Sequence, residues 1–213
     1  MRAIVFGNGT YEDDDFYLKY IEMYCPDMLI CADGGANAVR RLGLKPDVLL
    51  GDFDSVKAEV YDEYKNIRIL TFEKRKDYTD SYLAIQYAFE NGCDEIVLFG
   101  MTGTRLDHSL ANIYLLKFAL DNGAMAKIVN EYNEVFLLDN AVTLTGVKGR
   151  TISLLPYTDK VSGIFISGVD YPLDDAVMVK ENPYGVSNYA TEDIVQIRVD
   201  AGMMIVVLTR DEY

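Results

Sequence analysis

The sequence predicts an α/β unit followed by an all-β unit: a mainly parallel, Rossmann-like sheet with flanking helices, then an antiparallel β-sandwich or barrel. Three observations carry this. Short apolar runs alternate with segments of helical period as far as Leu138, the pattern of a parallel sheet covered by helices. Beyond Asp139 the long helical periods stop, and short apolar runs are separated by Gly, Pro, Asn and Asp, as in sandwiches. Polar clusters fall directly after the strands of the first part, where an open parallel sheet takes its ligands. The boundary is placed near Asp139–Asn140, giving domains 1–139 and 140–213.

The chain has 213 residues, 50% of them hydrophobic, enough for one large domain or two modest ones. The formal net charge is −14, a field that repels nucleic acid and anionic membranes, so neither is expected as a partner. No apolar run approaches the roughly 20 residues that span a bilayer. The opening Met1–Gly7 is too short for a signal peptide and reads as a first strand. Cys25, Cys31 and Cys93 form no CxxC pair, so reduced, mostly buried thiols in a cytoplasmic protein are expected.

The elements follow in order. Residues 2–7 read as a buried strand running into Gly7-Asn8-Gly9-Thr10, which suits close backbone approach to a ligand and equally a plain turn. This is not GxGxxG, so the dinucleotide fingerprint is missing. Asp13 to Tyr24 reads as a helix, Met28–Ala32 as a strand, and Asp33-Gly34-Gly35-Ala36-Asn37 opens a helix that stops at Gly43. A third strand ends at Asp52, a short helix covers Val56–Tyr64, and Ile67–Leu70 is a fourth strand. Ala84, Ala88, Leu83 and Tyr87 mark the apolar face of an amphipathic helix closed by Asn91-Gly92. Glu95–Phe99 is a fifth strand, and a helix from Ser109 to Leu120 follows Gly103-Thr104-Arg105-Leu106-Asp107-His108. Met125–Val129 and Val135–Leu138 are further strands. In the second part the runs are Val142–Leu144, Thr151–Leu155, Val161–Ile166, Ala176–Val179, Ile194–Val199 and Met203–Leu208.

The chemistry centres on Gly51-Asp52-Phe53-Asp54-Ser55. In extended geometry Asp52 and Asp54 point to one side and Phe53 to the other. Adjacent carboxylates repel and resist desolvation, and Mg²⁺ with phosphate oxygens is the simplest remedy. An acidic turn capping the next helix fits the same residues. If the sheet is parallel, Asn8-Gly9, Asp33-Gly34-Gly35, Asp52 with Asp54, Asp77 with Asp80, and Gly103 to Asp107 share one edge. Such an edge asks for a divalent cation and a phosphorylated ligand, with Lys74, Lys76 and Arg105 meeting phosphate oxygens.

The run Ala32-Asp33-Gly34-Gly35-Ala36-Asn37, then Pro46-Asp47 and Gly51-Asp52-Phe53-Asp54-Ser55, resembles the thiamine pyrophosphokinase family. Asp77-Tyr78-Thr79-Asp80 fits its D-x-T-D, and Gly103-Thr104-Arg105-Leu106-Asp107-His108 with Asn112 fits its G-x-R-x-D-H followed by Asn. Gly185-Val186-Ser187-Asn188 resembles its late G-x-S-N segment. The motifs cover nearly the whole chain, in order. The resemblance implies transfer of pyrophosphate from ATP, the co-substrate, to the hydroxyethyl group of thiamine, with Mg²⁺, in a homodimer with shared sites. It implies Asp52, Asp54 and Asp80 as metal ligands, with Asp77 and Arg105 completing the catalytic set. The ATP site then comprises Asn8, Gly9, Asp33, Gly34, Gly35, Lys76, Thr102, Gly103, Arg105 and Asn112. The thiamine site comprises Asp107, Ser187, Asn188 and Tyr189. Some family members stack thiamine on a Trp, and this chain has none; Tyr184 or Tyr189 fits that role and equally fits interface packing. Two other readings share the motifs: a nucleotide or thiamine binding module without turnover, and a Mg²⁺-dependent diphosphate hydrolase.

Overall fold

The computed structural model describes residues 1–74 and 77–210. The chain folds as two compact units, Met1–Glu131 and Tyr132–Tyr213.

The first unit alternates β1 (Arg2–Phe6), α1 (Asp14–Tyr24), β2 (Met28–Ala32), α2 (Gly35–Arg41), β3 (Val48–Gly51) and α3 (Ala58–Tyr64). It continues with β4 (Arg68–Thr71), α4 (Asp80–Glu90), β5 (Glu95–Phe99), α5 (Leu106–Asp121) and β6 (Met125–Val129). Its strands lie in the order β6-β5-β1-β2-β3-β4, and every neighbouring pair is parallel. β1 is buried on both faces from Ala3 to Phe6, as helices on both sides of a parallel sheet require. Ile4, Phe6, Cys31, Leu49, Val97 and Phe99 pack with Tyr17, Tyr20, Val39, Val60 and Tyr64 from α1, α2 and α3. The chain order reverses between β1 and β5, and that switch point opens a crevice at the carboxyl ends of the strands.

The helix starts follow local chemistry. Asp13 caps α1, its side chain accepting from the N–H groups of Asp15 and Phe16, and Thr79 caps α4 by accepting from Tyr82 N–H. Each satisfies donors that the first helical turn leaves open. α3 begins at Ala58, later than the expected Val56, because Lys57 is still extended.

The second unit holds β7 (Asn133–Leu138), β8 (Ala141–Thr145), β9 (Thr151–Pro156), β10 (Lys160–Ser167), β11 (Leu173–Val179), β12 (Gly185–Tyr189), β13 (Ile194–Arg198) and β14 (Met204–Thr209). The antiparallel layers are β12-β9-β14-β7 and β11-β10-β13-β8. Burial alternates along β9 and β14, so Ile152, Leu154, Met204, Val206 and Leu208 meet Val161, Ile164, Val195 and Ile197 in one core. β7 pairs with β14 through Phe136 and Val206. Asn133–Leu138 therefore folds with the second unit, ahead of the division expected at Asp139–Asn140. β12 has no counterpart among the expected strands. Its pairing with β9 shifts register between Gly185 and Asn188, Ser187 is left-handed at φ 58°, and polar residues interrupt any apolar alternation.

Candidate active site

A cleft of about 730 Å³ lies at the carboxyl edge of the first unit's sheet. Each loop that lines it follows a strand: Asn8–Thr10 after β1, Asp33 after β2, Asp52, Asp54 and Ser55 after β3, Thr79–Ser81 after β4, and Gly100–Arg105 after β5. The β1 and β5 loops are zipped together by Gly7 N–H to Phe99 O (2.8 Å), Gly9 N–H to Gly100 O (2.8 Å) and Thr10 N–H to Thr102 O (2.9 Å). A Cβ on Gly9 would sit 2.2 Å from Thr102 O, so only glycine allows this approach. Asn112 of α5 donates to Met101 O (2.8 Å), and Asn130 donates to the Thr102 hydroxyl (3.1 Å). The floor under Gly103 is thus held from three directions.

The acidic group forms around Asp33. Asp33 is 8% exposed, left-handed at φ 46°, and its Oδ1 is buried without a hydrogen-bond partner among the described residues. Burial pushes its carboxyl above the usual range, with Ser55 and the Gly34 N–H pulling the other way. Asp33, Asp52 and Asp80 each offer a carboxylate oxygen, all within 4.8 Å of one another. Asp80 stands in the first turn of α4, where the helix dipole favours negative charge. Three carboxylates this close, one of them buried, form the donor set of a hard divalent cation.

Asp54 departs from the expected extended geometry. Phe53 is left-handed at φ 63°, and Asp52 Oδ1 accepts from Asp54 N–H at 3.1 Å, an Asx turn. The chain therefore bends between the two carboxylates. Asp54 still lines the cleft, but its carboxylate meets Lys74 Nζ at 2.5 Å and the Ser55 hydroxyl at 3.0 Å. Lys74 holds the Asp54 carboxyl below its ordinary value. Asn37 braces this loop, donating to Ser55 O (2.9 Å) and accepting from Lys57 N–H (3.1 Å).

Asn8, Gly9, Asp33, Asp52, Asp54, Asp80, Thr102, Gly103, Arg105 and Asn112 all line the one cleft. Arg105 pairs with Asp107, which holds that carboxyl down at about 2; Asp107 itself lies outside the lining. Asp77 is exposed and also outside it. Gly34 lines a neighbouring hollow with Arg40, Arg41 and Lys57. Gly35 serves packing: its Cβ position is 2.0 Å from Phe6 O, so α2 rests directly on β1. Lys76 lies outside the described residues. Ser187, Asn188 and Tyr189 belong to β12 of the second unit. There the Asn188 side chain accepts from Tyr171 N–H (3.0 Å) and donates to Tyr171 O (2.8 Å), and Tyr189 is half-exposed.

Sequence reasoning missed Thr10, Ser81 and Ser109 in the lining. Ser109 accepts from Gly103 N–H (3.3 Å) and donates to Arg105 O (3.1 Å), so it shapes the loop. A serine four residues beyond an arginine that opens a helix is its only sequence signal. Glu131 was also missed; it accepts from Glu12 N–H, Asp13 N–H and the Tyr17 hydroxyl, tying the α1 entry to the end of the unit.

The fold and the site define a class: a parallel α/β unit with an acidic, glycine-lined cleft at its switch point, followed by an antiparallel sandwich. Residues 23–150 match the family described as "Thiamin pyrophosphokinase, catalytic domain", and residues 139–204 match "Thiamin pyrophosphokinase, vitamin B1 binding domain". The chain belongs to the thiamin pyrophosphokinase family. It is 25% identical to the thiamine pyrophosphokinase of Bacillus subtilis over 186 residues, covering 85% of this chain and 87% of that protein. It is 26% identical to thiamine pyrophosphokinase 1 of Oryza sativa over 210 residues, covering 85% and 79%. The crystal structure of thiamin pyrophosphokinase from Geobacillus thermodenitrificans superposes with a TM-score of 0.85 at 25% identity, covering 100% of this chain and 99% of that one. That of the Bacillus subtilis enzyme shares the fold with a TM-score of 0.88 at 22% identity and full coverage of both chains.

Proposed function

We propose that this protein transfers the pyrophosphoryl group of ATP to the hydroxyethyl oxygen of thiamine, giving thiamine diphosphate and AMP. The observation that carries the reading is the convergence of Asp33, Asp52 and Asp80 on one point of a cleft, in a chain of this family. Those three carboxylates would hold Mg²⁺, and Asp54 is the next carboxylate in the same cleft. When bound, Mg²⁺ neutralises phosphate charge and lowers the pKa of a coordinated hydroxyl.

The chain's own residues supply position. The backbone of the Gly100–Gly103 loop, fixed by Asn112 and Asn130, forms the phosphate floor. Arg105, half-committed to Asp107 and otherwise exposed, meets transferring phosphate oxygens with a planar fork. Asn8 and Gly9 close the other wall. Attack at phosphorus needs this alignment and charge neutralisation more than covalent chemistry. Asp77 and Lys76 stand next to this constellation in sequence and are assigned supporting roles.

Thiamine recognition is assigned to Asp107, Ser187, Asn188 and Tyr189 in a homodimer with shared sites. In favour of the dimer, α5 exposes Leu106 (69%), Leu110 (47%) and Tyr114 (56%) at helical spacing, an apolar stripe that asks for cover. No helix among the described residues is long and apolar enough to cross a membrane. With three free cysteines, Cys31 and Cys93 buried, a reducing, cytoplasmic setting is the proposed location.

The test is a mass-spectrometric assay of purified protein. AMP and thiamine diphosphate should appear only when ATP, Mg²⁺ and thiamine are all present, and Asp52→Asn should lower the rate about 100-fold or more without unfolding the protein. Phosphate release from ATP without thiamine would replace this reading with a hydrolase, and thiamine-dependent AMP release surviving Asp52→Asn would remove the metal site.

A further inference from the structure

β1 lies between β5 and β2 in the sheet, so the loop after it stands between the two halves of the site. On one side it is zipped to the loop after β5 by the backbone bonds of Gly7, Gly9 and Thr10. On the other it leans on the neighbour of Asp33, since a Cβ on Gly34 would collide with the Asn8 side chain. The loop thus joins the phosphate floor to the acidic group, and its placement fixes the spacing between them. Tyr11 follows this loop directly, and the proposed reaction gives it no task.

Tyr11 does not line the cleft; it lines the neighbouring hollow. Its hydroxyl donates to Gly7 O at 2.9 Å, which closes the loop back on its first residue. The same hydroxyl packs against Gly100, where a Cβ would collide with it. Gly100 is left-handed at φ 62° and lines the cleft. One oxygen therefore meets both loops. The ring that carries it is held from several sides. It lies nearly parallel to Phe6, 6.5 Å between centroids and 17° between planes, and 4.8 Å from Tyr17. The Arg41 guanidinium sits 5.8 Å from its centroid, and Arg41 is itself fixed on Asp14 by bonds of 3.0 and 2.7 Å. A tyrosine hydroxyl bonded to a backbone carbonyl is common in protein interiors. Here the backbone it braces carries both halves of the site.

We propose that Tyr11 is a positioning residue for pyrophosphoryl transfer. Its hydroxyl holds the Gly7–Thr10 and Gly100–Gly103 loops at the spacing that lets the ATP phosphates meet the floor and the acidic group together. This rests on the functional reading above. Tyr11 touches neither substrate and acts through Gly7 and Gly100. Transfer at phosphorus depends on alignment, and a displacement of about 1 Å costs about 100-fold in rate. A hydroxyl that spaces the two loops therefore registers in turnover as well as in stability.

The test compares Tyr11→Phe, which removes one oxygen and keeps the ring, with a matched control. In Tyr64→Phe the lost hydroxyl donates to Leu44 O at 2.8 Å, the same kind of bond in the same unit, and Tyr64 lines neither the cleft nor the hollow. Each variant is melted, assayed for AMP release, and titrated with ATP and Mg²⁺ by calorimetry without thiamine. Both should lose about 2–4 °C in Tm. Tyr11→Phe alone should lower kcat about tenfold and weaken ATP about threefold, in KM and in the titration, with KM for thiamine within about twofold of wild type. Tyr64→Phe should keep all kinetic constants within about twofold. A Tyr11→Phe protein with wild-type kcat and ATP affinity overturns the assignment, as does a Tyr64→Phe protein that loses as much of both. A wild type that releases no AMP with thiamine overturns the functional reading instead, and the ATP titrations then decide Tyr11; a wild type that binds no ATP overturns both.

Discussion

Replacing Asp33 with Asn should make the metal-free protein more stable and the metal-bound protein inactive. At the 4.8 Å limit separating the Asp33, Asp52 and Asp80 oxygens, each charged pair repels by about 3.5 kcal/mol at an effective dielectric near 20. Asp33 takes part in two of the three pairs, so the gross repulsion it contributes is at least about 7 kcal/mol. Water at Asp52 and Asp80, which are partly exposed, and the raised carboxyl of Asp33 itself relieve most of it. A net gain of about 1–2 kcal/mol on removing the charge follows, or about 3–6 °C in Tm for a chain of this size. The pH dependence has a definite sign. Burial raises the Asp33 carboxyl in the folded state, so its favourable contribution is complete below the unfolded value near about 3.9. That contribution is lost as pH rises through the raised folded value. The gain from Asp33→Asn should therefore be largest at neutral pH and vanish toward pH about 4. Calorimetry with chelator and with Mg²⁺ checks both halves: wild type should gain stability with Mg²⁺, and the variant should not. A variant that melts lower than wild type in chelator at neutral pH, or that keeps the full Mg²⁺ shift, would refute the reasoning.

Lys74→Ala should leave thermal stability unchanged, since both partners are exposed and surface pairs contribute little; the proposed contact of Lys74 with phosphate predicts that KM for ATP rises about tenfold, and an unchanged KM would leave Lys74 a bystander. Gly35→Ala should lower Tm by about 5–10 °C, because its Cβ would press on the Phe6 carbonyl and overpacking costs about 2–3 kcal/mol. A Cβ at Gly103 would meet the Thr10 hydroxyl at 3.2 Å and otherwise make ordinary contacts with Thr10 N and Gly9 Cα, so Gly103→Ala should melt normally and lose ATP affinity; steady-state kinetics beside calorimetry separates the two glycines.

Much of this was legible in the sequence, for a physical reason. A parallel sheet buries both faces of each strand, so its strands are continuous apolar runs such as Ile4–Phe6 and Leu49–Leu50 that announce themselves. Whatever follows them shares an edge, and Asp33, Asp52, Asp80 and Gly103 followed from that alone. What stayed hidden depends on backbone dihedrals and on partners distant in sequence. Nothing marks Phe53 as left-handed, since phenylalanine rarely adopts that conformation; the turn therefore overrode the alternation that placed Asp54 with Asp52. The Asp54–Lys74 pair spans a strand and a helix. β12 escaped because its ladder is irregular and its residues polar, so its place on β9 is set by the neighbour and not by its own propensity.

Four residues with positive φ gather at one edge of the first unit's sheet. Asp33, Gly51, Phe53 and Gly100 all have positive φ, and all stand at the carboxyl edge where strands hand over to loops. Two of the four are residues for which that conformation is costly, by about 1–3 kcal/mol each. Phe53 is held there by its ring against Tyr61 at 5.4 Å and by the Asx turn from Asp52; Asp33 is held by its N–H on Leu50 O at 2.8 Å. The same two residues aim the carboxylates inward or apart. Backbone strain and like-charge repulsion thus meet at this rim, directly above the buried strand residues of β1 and β3. A protein selected only for stability would relax that rim. Its retention is explained if a cation and a polyanion are bound there, because then the repulsion becomes attraction and the bent turns become a preformed cradle.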